Sequence, residues 1–218
     1  MERMAKSRTP YIIDSKKQLA VLVSAARQEI VDVLAQMGTV SVTELAATLG
    51  RPADALYYHL RILRTAGLIQ EDGSRVTGGK RESLFRALGS ELRIDYEESR
   101  RKSNRALAGI ASSMLRLGIR DFRQAIQNED IVVAGAKREL WTFRKTGWLT
   151  PKDLVQINES IERLGNAVSR PRGRGELYGI TILLTPLNRQ RRGASKKRGL
   201  IVAPSSGGDD RKSRSRRS

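Results

Sequence analysis

A mainly α-helical fold with small β components, an α+β chain, follows from three features of the 218 residues. Residues 41–66 carry two consecutive sets of helix start and stop signals. Residues 68–87 hold two strand-like runs around a glycine turn. The second half then alternates helix-period apolar stripes with runs of branched apolar residues.

The first helix start is the best specified. Ser41 can accept from the amide of Glu44, and the Glu44 carboxylate can reach back to the Ser41 amide, while Val40 and Leu45 fit the flanking hydrophobic staple. Gly50 supplies a permissive turn. Pro52 suits a first helical position and Asp54 favours the positive end of the helix dipole, so a second helix is expected from about Pro52. Gly67 marks its end, with Leu68 placed to touch Leu63 in a Schellman closure.

Leu56, Leu60 and Leu63 define one apolar face of this second helix. At 100° per residue, Asp54, Tyr57, Tyr58, Arg61 and Thr65 fall opposite it. The next stretch, residues 68–87, reads as two strands joined by a glycine turn, with Arg75, Lys80 and Arg81 at or near the tip. Two helices, a tight turn and a hairpin are the parts of a helix-turn-helix with a wing, and double-stranded DNA is the expected partner. Arg61 can donate to guanine or phosphate, and the tyrosines offer hydroxyls and flat apolar surface to bases or sugars. The tip cations can meet phosphates or enter a minor groove. The chain's one histidine, His59, lies beside the apolar face and is read as a packing or phosphate-contacting residue.

Leu56-Tyr57-Tyr58-His59-Leu60, then Leu63, then Ala66-Gly67-Leu68-Ile69 resembles the recognition-helix signature of ArsR-type winged-helix transcriptional regulators, over roughly residues 17–88. The resemblance implies a dimeric, cytoplasmic, nucleoid-associated regulator that sets this helix in the major groove, with Arg51, Asp54, Tyr57, Tyr58 and Arg61 at the DNA-contacting positions. Two departures stand out. Metal-sensing members use cysteine thiolates and this chain has none; Tyr57 stands where small hydroxyl residues are common.

Composition agrees with a polyanionic partner. The net charge is +18 and eleven Lys/Arg against two Asp place nine of those charges in residues 189–218. That segment, also rich in Ser and Gly, is expected to be a disordered basic tail that either adds nonspecific affinity for DNA or keeps the chain soluble. The absence of cysteine excludes disulfides and thiolate-bound zinc. One histidine, no phosphate loop and no outstanding carboxylate pair argue against an enzyme, so no catalytic residue, cofactor or metal is expected. No apolar run has the length for a membrane span or the flanks of a secretory signal.

In the second half, Leu107, Ile110, Met114 and Leu117 mark a long helix within about 92–127. Strands are expected at 131–144 and 177–185. Between them, Thr150-Pro151-Lys152-Asp153 opens a helix striped by Leu154, Ile157, Ile161, Leu164 and Val168. The expected organisation is an N-terminal arm (1–16), the winged helix-turn-helix (17–90), a C-terminal helix-strand-helix-strand domain (91–188) and the tail (189–218). The third part is assigned to homodimerisation, with the long helix as the interface, because two recognition helices must be presented about one DNA turn apart. Trp141, Phe143, Trp148 and Tyr178 are core or interface candidates that can also line a pocket for a small apolar effector. The resulting expectation is a sequence-specific repressor acting by promoter occlusion. The competing reading is a winged-helix architectural or protein-interaction module that binds nucleic acid without sequence choice.

Overall fold

The computed structural model describes residues 10–169 and 175–187. Elements run β1 (Tyr11–Ile13), α1 (Lys16–Leu22), α2 (Ala25–Met37), β2 (Val40–Ser41), α3 (Val42–Leu49), α4 (Ala53–Thr65), β3 (Ile69–Thr77), β4 (Lys80–Ala87), β5 (Leu92–Ile94), α5 (Tyr96–Lys102), α6 (Asn104–Ala125) and α7 (Pro151–Val168). The chain is thus mainly helical with small sheets, as its sequence predicts. The expected tail and the first nine residues lie outside the described residues.

The core is built where helix stripes converge on a small sheet. Leu19 and Leu22 of α1, Ile30, Val31 and Leu34 of α2, Leu45 of α3, and Leu56, Leu60 and Leu63 of α4 are buried together with Ile69 and Phe85 of the sheet. The sheet order is β2-β4-β3, all antiparallel. Thr77 faces Lys80 across Gly78 and Gly79, whose φ values of +56° and +76° are those of a tight hairpin turn with both central residues left-handed. A register shift between Glu71 and Ser74 marks a bulge in β3.

The local signals act as expected. Ser41 Oγ accepts from the Glu44 amide at 3.2 Å and Glu44 Oε2 accepts from the Ser41 amide at 2.9 Å. Gly67, at φ +67°, closes α4: its amide donates to Arg64 O and the Leu68 amide donates to Leu63 O, both at 3.0 Å. Lys17 Nζ donates to the Thr65 carbonyl at 2.6 Å, adding a cation at the negative end of α4. The start differs by one residue, since Pro52 is extended (φ −60°, ψ 136°) and caps the helix instead of opening it.

Four further differences concern longer-range order. Tyr11–Ile13 is not part of a free arm but pairs in parallel with Leu92–Ile94, and a Cβ on Gly89 would lie 2.7 Å from the Tyr11 amide nitrogen. The expected single long helix is two: Ser103, extended at φ −167°, ends α5 and caps α6 through its hydroxyl. α6 then packs on α1 and α2, where Gln28 Nε2 donates to Ile110 O at 3.2 Å and Ser113 Oγ donates to Val23 O at 2.5 Å. Finally, residues 131–144 and 177–185 form no strand. Their apolar, branched composition marks segments that favour burial, but each lacks the neighbouring ladder that a strand requires. Among the described residues none beyond Ser113 is buried.

Residues 182–187, described by themselves, are exposed and carry no regular secondary structure. No helix among the described residues is long and apolar enough to cross a membrane.

Candidate nucleic-acid interface

α4 has two faces with different tasks. Leu56, Leu60 and Leu63 are at most 2% exposed and fix the helix to the core, so the opposite side is held at a defined height above the surface. Tyr57 and Tyr58, 55% and 57% exposed, stand on that outer side together with exposed Asp54 and Arg61. The Arg61 guanidinium lies 5.9 Å from the Tyr58 ring centroid, within cation–π range. The ring therefore guides the guanidinium without consuming its donors. Thr65, on the same side, instead donates back to the Arg61 carbonyl at 2.9 Å.

Between α4 and the hairpin runs a groove of about 470 Å³. Tyr57, Tyr58, Leu60, Arg61 and Arg64 form its helix wall, and Glu71, Ser83 and Phe85 its sheet wall. Arg64 was not among the expected contacts. It pairs with Glu71 at 2.7 Å, linking the last turn of α4 to β3. Its position 80° from the outer face explains the omission, because the helical wheel alone does not show that β3 closes this side.

The wing cations are differently engaged. Lys80 is exposed at the turn, and Arg81 is exposed while donating to Ser74 Oγ at 2.8 Å. Arg75 points back along the hairpin to Glu44 Oε1 at 3.2 Å and Glu82 Oε2 at 3.8 Å. Glu44 is thus held below the usual carboxylate range by the Ser41 amide, with Arg75 adding to the effect. Of the three wing residues, Arg75 alone begins in an ion pair with the first helix of the pair.

Arg51 is likewise tied down. It donates to Glu29 at 2.5 Å, and the same carboxylate accepts from Arg120 of α6 at 2.5 Å. Glu29 is shielded, with 14% of its side chain exposed, so this bridge joins α2, the turn before α4 and α6 at a partly desolvated point. The Glu29 hydrogen bond pushes Arg120 above its ordinary value, with Asp121 contributing. Arg51 accordingly sits beside the outer face of α4 as a brace and not as a free donor. No local pattern signals this, since Glu29 is 22 residues from one arginine and 91 from the other.

His59 serves packing. Its ring meets Tyr58 edge-on at 5.4 Å, its Nδ1 is buried, and burial, followed by Arg27 and Arg51, lowers its pKa below 6.5. The imidazole is therefore neutral at pH 7 and adds no charge to the face.

The four aromatic residues expected to share a core or pocket do not converge. Trp141 and Phe143 contact edge-on at 6.5 Å and Arg138 covers Trp141 at 4.2 Å, whereas Trp148 lies against α7 and is 86% exposed. Tyr178 donates to Glu139 at 2.5 Å, which pushes the phenol up to about 12. All four side chains are exposed and stand in segments without regular secondary structure.

No curated protein matches the chain. A family model described as a helix-turn-helix domain matches residues 22–71, from the end of α1 to the first residues of β3. α3 and α4, joined through the left-handed Gly50, are the helix pair of that helix-turn-helix domain.

Proposed function

We propose that the chain is a sequence-specific, DNA-binding transcriptional regulator of ArsR-like character, a cytoplasmic homodimer that represses by occluding promoters and performs no catalysis. The observation that carries the reading is the contrast between the two sides of α4: three leucines immobilised in the core, and Tyr57, Tyr58 and Arg61 exposed above them. A helix presented this way can lie in a major groove, whose width admits it, with Arg61 reading guanine and the tyrosines packing on bases or sugar. Asp54 stands at the helix N-terminus, where its carboxylate suits acceptance from a cytosine amino group. Lys80 and Arg81 at the hairpin tip reach the flanking backbone. Arg75 joins them only by leaving Glu44 and Glu82, which makes its contribution smaller than sequence alone suggests.

A small apolar effector, if it acts, exerts control by binding one dimer geometry better than another, because only differential affinity shifts a population.

The test is selection of genomic fragments on the purified full chain, followed by competition with random duplex over a range of salt. A recurring site that survives competition at high salt supports the regulator. Equal affinity for every duplex, falling in parallel with salt, establishes the architectural module instead.

A further inference from the structure

We infer that α7 is a self-pairing helix whose apolar seam packs against α7 of a second copy of this chain. The inference rests on the homodimer reading and locates its interface away from the long helix α6.

Leu154, Ile157, Ile161, Leu164 and Val168 recur at intervals of three, four, three and four, the spacing of a two-stranded coiled-coil seam. From Ile161 onward, branched Ile161 and Val168 alternate with Leu164 as two-stranded pairs favour, while the first heptad carries the reverse order, Leu154 then Ile157. Yet no residue of α7 is buried in the single chain. The helix does not depend on packing for its start. Thr150 Oγ1 accepts from the Asp153 amide at 3.2 Å, the Asp153 carboxylate accepts from the Thr150 amide at 2.8 Å, and Pro151 opens the first turn. Trp148 and Leu149 flank Ile157, Ile161 and Leu164 without burying them, so this well-started amphipathic helix leaves its seam open to an apolar occupant.

Charge decides which occupant. In a chain of net charge +18, α7 carries three acidic and two basic residues, so it is not a surface for DNA or an anionic membrane. Its carboxylates are already engaged: Asp153 in the cap, Glu162 with Arg93 at 3.5 Å, and Glu159 with Arg163 at 4.0 Å. Of the positions flanking the seam, Asn158, Ser160, Gly165 and Ala167 are uncharged and mostly small, and the one carboxylate, Asp153, is held in the cap, so two identical helices meet there at close approach. Ile161 lies at the centre of the seam, seven residues from Leu154 and seven from Val168, so parallel pairing in register, the arrangement inferred for the two copies, places Ile161 against its counterpart.

The chain has no cysteine, so Ile161→Cys introduces a unique thiol. Under mild oxidation the full-length variant should give a species of twice the 24.3 kDa chain mass, because a disulfide forms only when the two Cα atoms come within about 7 Å. Ile161→Lys should weaken self-association at least tenfold in light scattering. Two results overturn the inference while leaving the homodimer standing: a dimer in scattering that Ile161→Cys does not link, or cross-linking only when Ile161→Cys is mixed with Ile119→Cys on α6. A monomer at every concentration removes both.

Discussion

The helix-turn-helix region and the region after α6 contain similar proportions of apolar side chains but use them in opposite ways. Up to Ser113 the leucines, isoleucines and valines of five helices and the sheet close into one core. Beyond it, Trp141, Phe143, Leu177, Leu183 and the whole stripe of α7 remain outside any core. The lesson is that helix caps and amphipathic periodicity establish elements, whereas burial needs a second surface at the right place. The first region supplies that surface from its own chain; among the described residues the second does not.

The largest effect should come from the core under the outer face of α4. Leu60→Ala should cost about 3 kcal/mol in urea unfolding, through lost transfer energy and a cavity. Leu164→Ala, at chain concentrations where the protein is monomeric, should cost less than about 0.5 kcal/mol. Equal costs would erase the distinction between the regions.

Glu29→Gln sharpens the boundary between them. It withdraws the carboxylate shared by Arg51 and Arg120 and should destabilise by about 1–2 kcal/mol, less than a fully buried pair because both guanidinium groups reach water. Its more telling readout is amide exchange, which should quicken in the first turn of α4 and not at its Gly67 end.

The two capping boxes permit a matched comparison. Ser41→Ala should lower global stability by about 1 kcal/mol, since α3 belongs to the core. Thr150→Ala should leave the unfolding midpoint of the monomer unchanged and reduce only the helical signal of α7, which buries nothing there.

The smallest expected effect is electrostatic. His59 has a folded pKa below its unfolded 6.5, so the unfolded chain binds the proton first as pH falls. Its contribution is complete above about pH 6.5 and declines below it. Glu44, held below 4.5, loses its stabilising interactions only at more acid pH. Urea midpoints at about pH 7.5 and 5.5 should differ less for His59→Gln than for the parent chain.

Much of the first region is legible in the sequence because its signals are local. Ser41 with Glu44, Gly67 with Leu68, and Gly78-Gly79 each specify a turn or cap from residues within five positions. The 3.6-residue period separates the face of Leu56, Leu60 and Leu63 from Tyr57, Tyr58 and Arg61. Contacts distant in sequence leave no such mark: the parallel pairing of Tyr11–Ile13 with Leu92–Ile94 and the Arg51–Glu29–Arg120 bridge arise only once the helices have packed. The break at Ser103 was obscured because residues on both sides favour helix. At 131–144 and 177–185 the branched apolar runs indicate a demand for burial, and composition alone does not say which surface meets it.

The central claim is that the outward side of α4 enters DNA, and it is tested most directly by Tyr57→Ala/Tyr58→Ala/Arg61→Ala in one chain. Because these side chains lie outside the core, the variant should unfold at the parent's urea midpoint within about 0.5 kcal/mol. On a duplex recovered by selection its affinity should fall at least a hundredfold, with residual nonspecific binding retained through the remaining cations. An undiminished preference for that duplex in a correctly folded variant would contradict the account.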